Sequence, residues 1–199
     1  ETNPISRNEF LQKKGLDPSK KTILFAAPTP SNYPMRKDLM EQMIKLKTRA
    51  QLKGDPQLFV RVHPIDSPLS YKDFLGLSGV YIERAGRQML PDTAGGQKIE
   101  MSEGDQLNLK NSLKHADLVV NFASTMIIEA SIFDRPVINI AFPPQRAIVY
   151  QYEYNKALAD SGAVKMAWNV DELAEAINLY LEHPESEQNE RRKLVQDYI

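Results

Sequence analysis

"ADLVVNFASTMIIEASIFDRPVINIAF", residues 116–142, decides the fold. Two β-rich apolar runs, 117–123 and 136–142, flank a segment of helical periodicity at 125–134. Continuous apolar runs without alternation are what strands buried on both faces look like, and a helix between two of them makes a parallel crossover. The join between the first run and the helix reads Ala123-Ser124-Thr125. Two hydroxyl residues at that join have two readings. They cap the unpaired N–H groups of the helix start, or they share those groups with a bound phosphate, because a helix start favours anions. Glu129, set between Ile128 and Ala130, lies four residues beyond Thr125 and so on the same helix face. A carboxylate there repels phosphate at close range and is better placed to accept hydrogen bonds from ribose or sugar hydroxyls.

The same alternation continues on both sides. A buried strand is predicted at 21–28, a second strand at 57–64 and a third, short one at 79–84, with a helix over 36–53 in which Leu39, Met40, Met43, Leu46 and Ala50 recur at helical spacing and Gly54 supplies the stop. A further helical stretch is expected between the second and third strands. The segment 85–104 has no periodicity and holds four of the nine glycines, so it reads as a long loop, mobile without ligand and ordered over it. A helix is predicted over 105–115. After residue 142 come a helix at 151–161, a short strand at 163–167, and helices from near Asp171, capped by Asn169 or Asp171, and near Glu185. The expected class is α/β: a Rossmann-like open parallel sheet with helices on both faces. Ligands of such sheets bind beyond the carboxyl ends of the strands.

Composition bounds the function. A chain of 199 residues, 42% hydrophobic, builds one sizeable core, and the whole of 1–199 is read as one domain. A net charge of −1 gives no electrostatic footprint for nucleic acid. The absence of cysteine excludes disulfides, thiol catalysis and most zinc sites, and it fits a reducing compartment. No His/Asp/Glu cluster has metal-ligand spacing, no apolar run approaches the roughly 18 residues of a membrane span, and no signal peptide is read in the polar N-terminal stretch. Both ends read as cuts within a longer chain.

Other candidates lie just after strands. The loop 26–32, "AAPTPSN", offers Ser31 and Asn32 but lacks the glycines of a dinucleotide or Walker loop. Arg61-Val62-His63-Pro64 ends the second strand; His63 is either a structural histidine or a donor to a phosphate oxygen, with Arg61 on the same face. Asp117 and Asp134 read as turn and cap residues, Trp168 as core, and Tyr150, Tyr152 and Tyr154 as packing residues. Arg84 and Arg87 read as solvated.

"RVHP" together with 116–142 resembles the donor-binding, C-terminal domain of bacterial GT-B glycosyltransferases of surface and capsular polysaccharide assembly, including glycerophosphate polymerases that use CDP-glycerol and capsule Kdo transferases. The likeness covers about residues 20–182. It implies that His63, Ser124 and Thr125 bind the phosphates of a nucleotide-activated donor, with Glu129 a turn later, Ser31, Asn32 and Arg61 nearby, and no metal or other cofactor. Its implied partners are the nucleotide-sugar donor and an N-terminal acceptor-binding domain that this chain lacks, and its implied place is the cytoplasm, with the full-length enzyme at the inner face of the membrane. No catalytic base is identified; His63 and Glu129 are the donor-side candidates. The sequence departs from the glycerophosphate polymerases at Asn121-Phe122-Ala123, where those tend to have an acidic residue and Tyr, which argues against CDP-glycerol. It also lacks the Gly-Gly run of epimerases with this fold. An epimerase acting on a nucleotide sugar, and a non-catalytic protein-binding module, are the rival readings.

Overall fold

The structure, a computed structural model, describes residues 5–31, 33–88, 99–142 and 150–198. Strands β1 (Thr22–Ala26), β2 (Gln57–Val62) and β3 (Val80–Arg84) precede a two-stranded antiparallel ribbon of β4 (Arg87–Gln88) and β5 (Ile99–Glu100). Strands β6 (Leu118–Asn121), β7 (Val137–Ile140) and β8 (Val164–Ala167) follow. The main sheet has the order β3-β2-β1-β6-β7-β8, and every pair in it is parallel. The helices are α1 (Arg7–Lys13), α2 (Arg36–Thr48), α3 (Glu103–His115), α4 (Met126–Ile132), α5 (Glu153–Asp160), α6 (Val170–Glu182) and α7 (Gln188–Tyr198).

Strand side chains alternate between two cores. Phe25, Val60, Val120 and Ile138 face α2 and α6, while Leu24, Phe59, Val119 and Val137 face α1, α3, α4, α5 and α7. All but Phe59, at 1%, are fully buried, which stabilises each by roughly 1.5–3 kcal/mol. This is the Rossmann-like sheet, covered on both faces, that the sequence predicts. Connections leaving β1 run to β2 and those leaving β6 run the other way to β7, so adjacent β1 and β6 diverge at their carboxyl ends. That divergence opens a crevice.

Several expectations are corrected. Helix α2 stops at Thr48 rather than 53, because Ala50 adopts a left-handed conformation (φ 52°) and its N–H and that of Gln51 close on Lys47 and Leu46 carbonyls. The polar N-terminal stretch contains α1, whose Phe10 and Leu11 are buried. The connection from β2 to β3 carries a 3-10 helix, Pro68–Phe74, opened by Ser67 and Pro68. The stretch expected to be one long loop holds the β4–β5 ribbon and the start of α3, capped by Ser102 and Asp105 in a reciprocal box; residues 89–98 lie outside the described residues. Trp168 is 41% exposed rather than core. Asn169, not Asp171, caps α6 by accepting from the Glu172 N–H.

Candidate functional site

At the diverging ends of β1 and β6 lies a cleft of about 370 Å³. Its walls come from the segments after four strands: Ala26–Thr29 after β1, Arg61–Pro64 at the end of β2, Ala85 after β3, and Phe122–Met126 with Glu129 after β6. Met101 and Leu109, from the ribbon's exit and α3, close the remaining side. Gly86 lets the ribbon come this close, since a side chain there would meet the Met101 sulfur at 2.6 Å and the Glu100 carbonyl at 2.9 Å.

On the β2 side the chain is tied to itself. Asp66, 5% exposed, accepts from the Arg36 guanidinium through both oxygens, from Ser67 N–H (2.8 Å), from Ser70 Oγ (3.1 Å) and from Tyr71 OH (3.2 Å). Burial raises the Asp66 pKa, but these donors outweigh it and hold the carboxyl below its usual range. The Asp66 N–H also donates to the His63 carbonyl at 2.8 Å. His63 accepts at Nδ1 from the Ile65 N–H (3.3 Å), and burial lowers its pKa. The ring is therefore favoured as the neutral tautomer with its proton on Nε2, a donor on a cleft-lining side chain.

On the β6 side little is tied. Ala123 takes a left-handed conformation (φ 43°), held by its N–H donating to Asn139 Oδ1 at 2.7 Å. Asn139 is itself fixed by donating to Tyr150 OH. A non-glycine residue at positive φ stores backbone strain and is commonest where a site requires the geometry. Thr125 stands at the N-cap of α4, yet its hydroxyl makes no capping bond and the side chain is exposed. Ser124 Oγ accepts from Met126 N–H at 3.3 Å. Of the two readings of the hydroxyl pair, capping is met only by Ser124, and weakly.

Glu129 and Arg61 bring charge to the cleft floor. Arg61 is 5% exposed and donates to Glu83 Oε1 (2.6 Å) and Ser112 Oγ (3.3 Å). Burial pulls its pKa down while Glu83, Asp105 and Glu129 push it up. Glu129 makes no hydrogen bond or ion pair among the described residues; burial raises its pKa, opposed by Arg61. The carboxylate is thus a half-buried acceptor held near a cation that is engaged elsewhere. Such a group accepts hydrogen bonds from hydroxyls or holds a proton.

The structure brings five predicted residues into this one cleft: Arg61, His63, Ser124, Thr125 and Glu129. Arg61 acts there through its field rather than as an open donor. Ser31 is exposed beside it, its Oγ 3.0 Å from Thr29 Oγ1, and does not line the cleft; Asn32 lies outside the described residues. Reading the sequence missed Asp66 and Asn139, which position the two walls. Ser67-Pro68, a helix-start pair, was the available signal for the first; nothing local marks the second. No group of three or more His, Cys, Asp or Glu able to hold a metal occurs among the described residues, and no helix there is long and apolar enough to cross a membrane.

No family model matches the chain, and no curated protein matches it. Solved structures do. The chain is similar to the wall teichoic acid polymerase TagF soaked with CDPG (TM-score 0.59, 14% identity), covering 96% of this chain and 39% of that one. It is similar to a UDP-N-acetylglucosamine 2-epimerase, described as putative, from Listeria monocytogenes (0.59, 16%, covering 96% and 43%). It is also similar to the S. aureus protein MnaA solved with UDP (0.56, 15%, covering 98% and 47%). The chain spans less than half the length of each. At these identities the likeness establishes the fold, a Rossmann-like sheet of the kind that forms one half of a GT-B arrangement.

Proposed function

We propose that this chain is the nucleotide-sugar-binding part of a glycosyltransferase of cell-surface polysaccharide assembly. The observation that supports the reading is the convergence, at the sheet's switch point, of His63, Ser124, Thr125 and Glu129 from separate strand ends on one cleft. In this reading the His63 Nε2–H and the Ser124 and Thr125 hydroxyls meet the donor's phosphates, and Glu129 accepts from sugar or ribose hydroxyls. Transfer displaces the nucleotide from the anomeric carbon by the acceptor's hydroxyl oxygen. Charge develops on the departing phosphate, and preorganised donors stabilise it there. The base that takes the acceptor's proton belongs to a second domain, so the chain alone binds nucleotide without turnover. UDP- and CDP-containing ligands in the structurally similar proteins favour a pyrimidine nucleotide. A thermal-shift panel of UDP, CDP, CMP, GDP and ADP tests this: stabilisation by a pyrimidine nucleotide supports the reading, and no stabilisation by any removes it.

A second reading, an epimerase acting on a nucleotide sugar, rests on Glu129: a cleft carboxylate whose burial favours the protonated form suits proton transfer. Product analysis after incubation with UDP-GlcNAc separates the two, since only an epimerase returns an isomer without an acceptor.

A further inference from the structure

The opposite edge of the sheet holds a cleft of different chemistry. Strands β1, β6 and β7 lie side by side, and the segments entering them bring Lys20 and Lys21, Lys114 and Asp117, and Arg135 around a space of about 370 Å³, with Arg7 of α1 alongside. Five cationic side chains thus line it against one carboxylate. The carboxylate is fully engaged: Asp117 accepts from Arg7 Nη2 (2.8 Å), Lys21 Nζ (3.1 Å) and the Thr22 N–H (2.8 Å). Arg7 also donates to the His115 and Lys20 carbonyls, and Lys20 pairs with Asp55.

Two cations remain. Among the described residues neither Lys114 nor Arg135 has a side-chain hydrogen bond or ion pair, and Arg135 Nε is buried without a partner. A buried unpaired guanidinium nitrogen is costly, and native proteins seldom keep one idle. Helix ends explain Lys114 in part, since it sits in the last turn of α3 where the dipole favours a cation. They do not explain Arg135. The end of α4 is closed by the backbone, with Asp134 and Arg135 N–H groups donating to Ser131 and Ala130 carbonyls, and the Arg135 side chain donates to none of them.

We propose that this edge is a second binding site, one that takes a phosphate group between Arg135 and Lys114. The guanidinium offers a fork of donors matched to phosphate oxygens, and the ammonium adds a point charge. Apart from Pro18 and the His115 ring, whose Nε2 lies 2.9 Å from the Ile5 carbonyl, the cleft is lined by polar and charged side chains, so it suits a phosphate head more than a nucleobase. The site lies at the far end of the strands from the cleft described above, and it stands whether or not that cleft binds nucleotide.

The phosphate can be free in solution or carried by a lipid headgroup, and two arms separate these. In the first, inorganic phosphate is titrated into the full chain at constant ionic strength, with chloride as control, and backbone amide shifts are followed by NMR. In the second, the chain is sedimented with phosphatidylcholine vesicles with and without phosphatidic acid. The expected result is saturable shifts at residues around Lys114 and Arg135, or sedimentation that requires phosphatidic acid. Arg135→Gln with Lys114→Gln should weaken whichever is seen by about tenfold or more, while Lys156→Gln, at an exposed lysine of α5, leaves it unchanged. Were the double variant to lose its fold, the shift map of the parent chain decides. Shifts no larger than those with chloride and no vesicle dependence, shifts confined to the other cleft, or equal binding by a folded double variant would each overturn the proposal.

Discussion

The two walls of the cleft at the carboxyl ends are built on opposite plans. After β2, the buried carboxylate of Asp66 gathers donors from Arg36, Ser67, Ser70 and Tyr71, and its own N–H holds the His63 carbonyl. After β6, the exposed Thr125 leaves the N-cap bond unmade, Ser124 makes one long contact, and Glu129 has no hydrogen bond or ion pair among the described residues, only the field of Arg61. One wall uses its polar groups to hold itself; the other holds a strained turn and leaves its polar groups for something else. Groups kept unsatisfied at a cost to stability are where function is expected.

The contrast is broken most severely at Asp66. Asp66→Ala removes the buried acceptor of a partly exposed guanidinium and of the buried Tyr71 hydroxyl, and should cost about 3 kcal/mol of stability in chemical denaturation. Its pH dependence has a definite sign. With a folded pKa below the unfolded value of about 3.9, Asp66 contributes its stability fully above pH 4 and loses it as pH falls through the folded value. A variant as stable as the parent at pH 7 would show that the tied wall is not tied.

Next is His63→Ala. Loss of a donor to charged phosphate should weaken nucleotide binding by about 1–3 kcal/mol, with little change in the fold, because Asp66 holds the loop through the backbone. Unchanged affinity in isothermal titration, with a lowered melting temperature, would make His63 structural.

The double change Ser124→Ala, Thr125→Ala tests the open wall. Full caps would cost on the order of 1–2 kcal/mol of stability; with one long bond and one absent, the expected loss is about 0.5 kcal/mol. Affinity for a nucleoside diphosphate should fall about tenfold, with that for the nucleoside unchanged. Stability lost with affinity intact would make the hydroxyls caps after all.

The smallest effect has the opposite sign to Asp66. The folded pKa of Glu129 is raised by burial, so the folded state binds more protons than the unfolded one just above the usual carboxylate range, and stability falls as pH rises through that window. Glu129→Gln should therefore raise the melting temperature at pH 7, on the order of a degree or two, with the gain fading below about pH 4. Lowered stability at pH 7 would mean that Glu129 is engaged like Asp66.

The sheet was legible because β1, β2, β6 and β7 are apolar runs separated by helical patterns, and because strand ends are where such folds place ligands. What was not legible depends on bonds distant in sequence. Asp66 reaches Arg36 across thirty positions, as the numbering shows, and Asn139 supports Ala123 from the next strand. Helix α1 buries only Phe10 and Leu11 in seven residues, too few to show a period. Trp168 was expected in the core for its size, yet it sits past the end of β8, where the chain turns to the Asn169 cap. The hydroxyl pair allows two readings from sequence, and the sequence does not show that Thr125 leaves the capping bond unmade.

The central claim, that the cleft between the ends of β1 and β6 receives a nucleoside diphosphate, is tested most directly by mapping amide shifts of the chain during titration with UDP and CDP. The account predicts saturable shifts at His63 and across 123–126 and 129 for at least one of them, competed by unlabelled pyrophosphate at the phosphate-contacting amides. No saturable shift with either nucleotide, or shifts that leave His63, Ser124 and Thr125 unmoved, would contradict it.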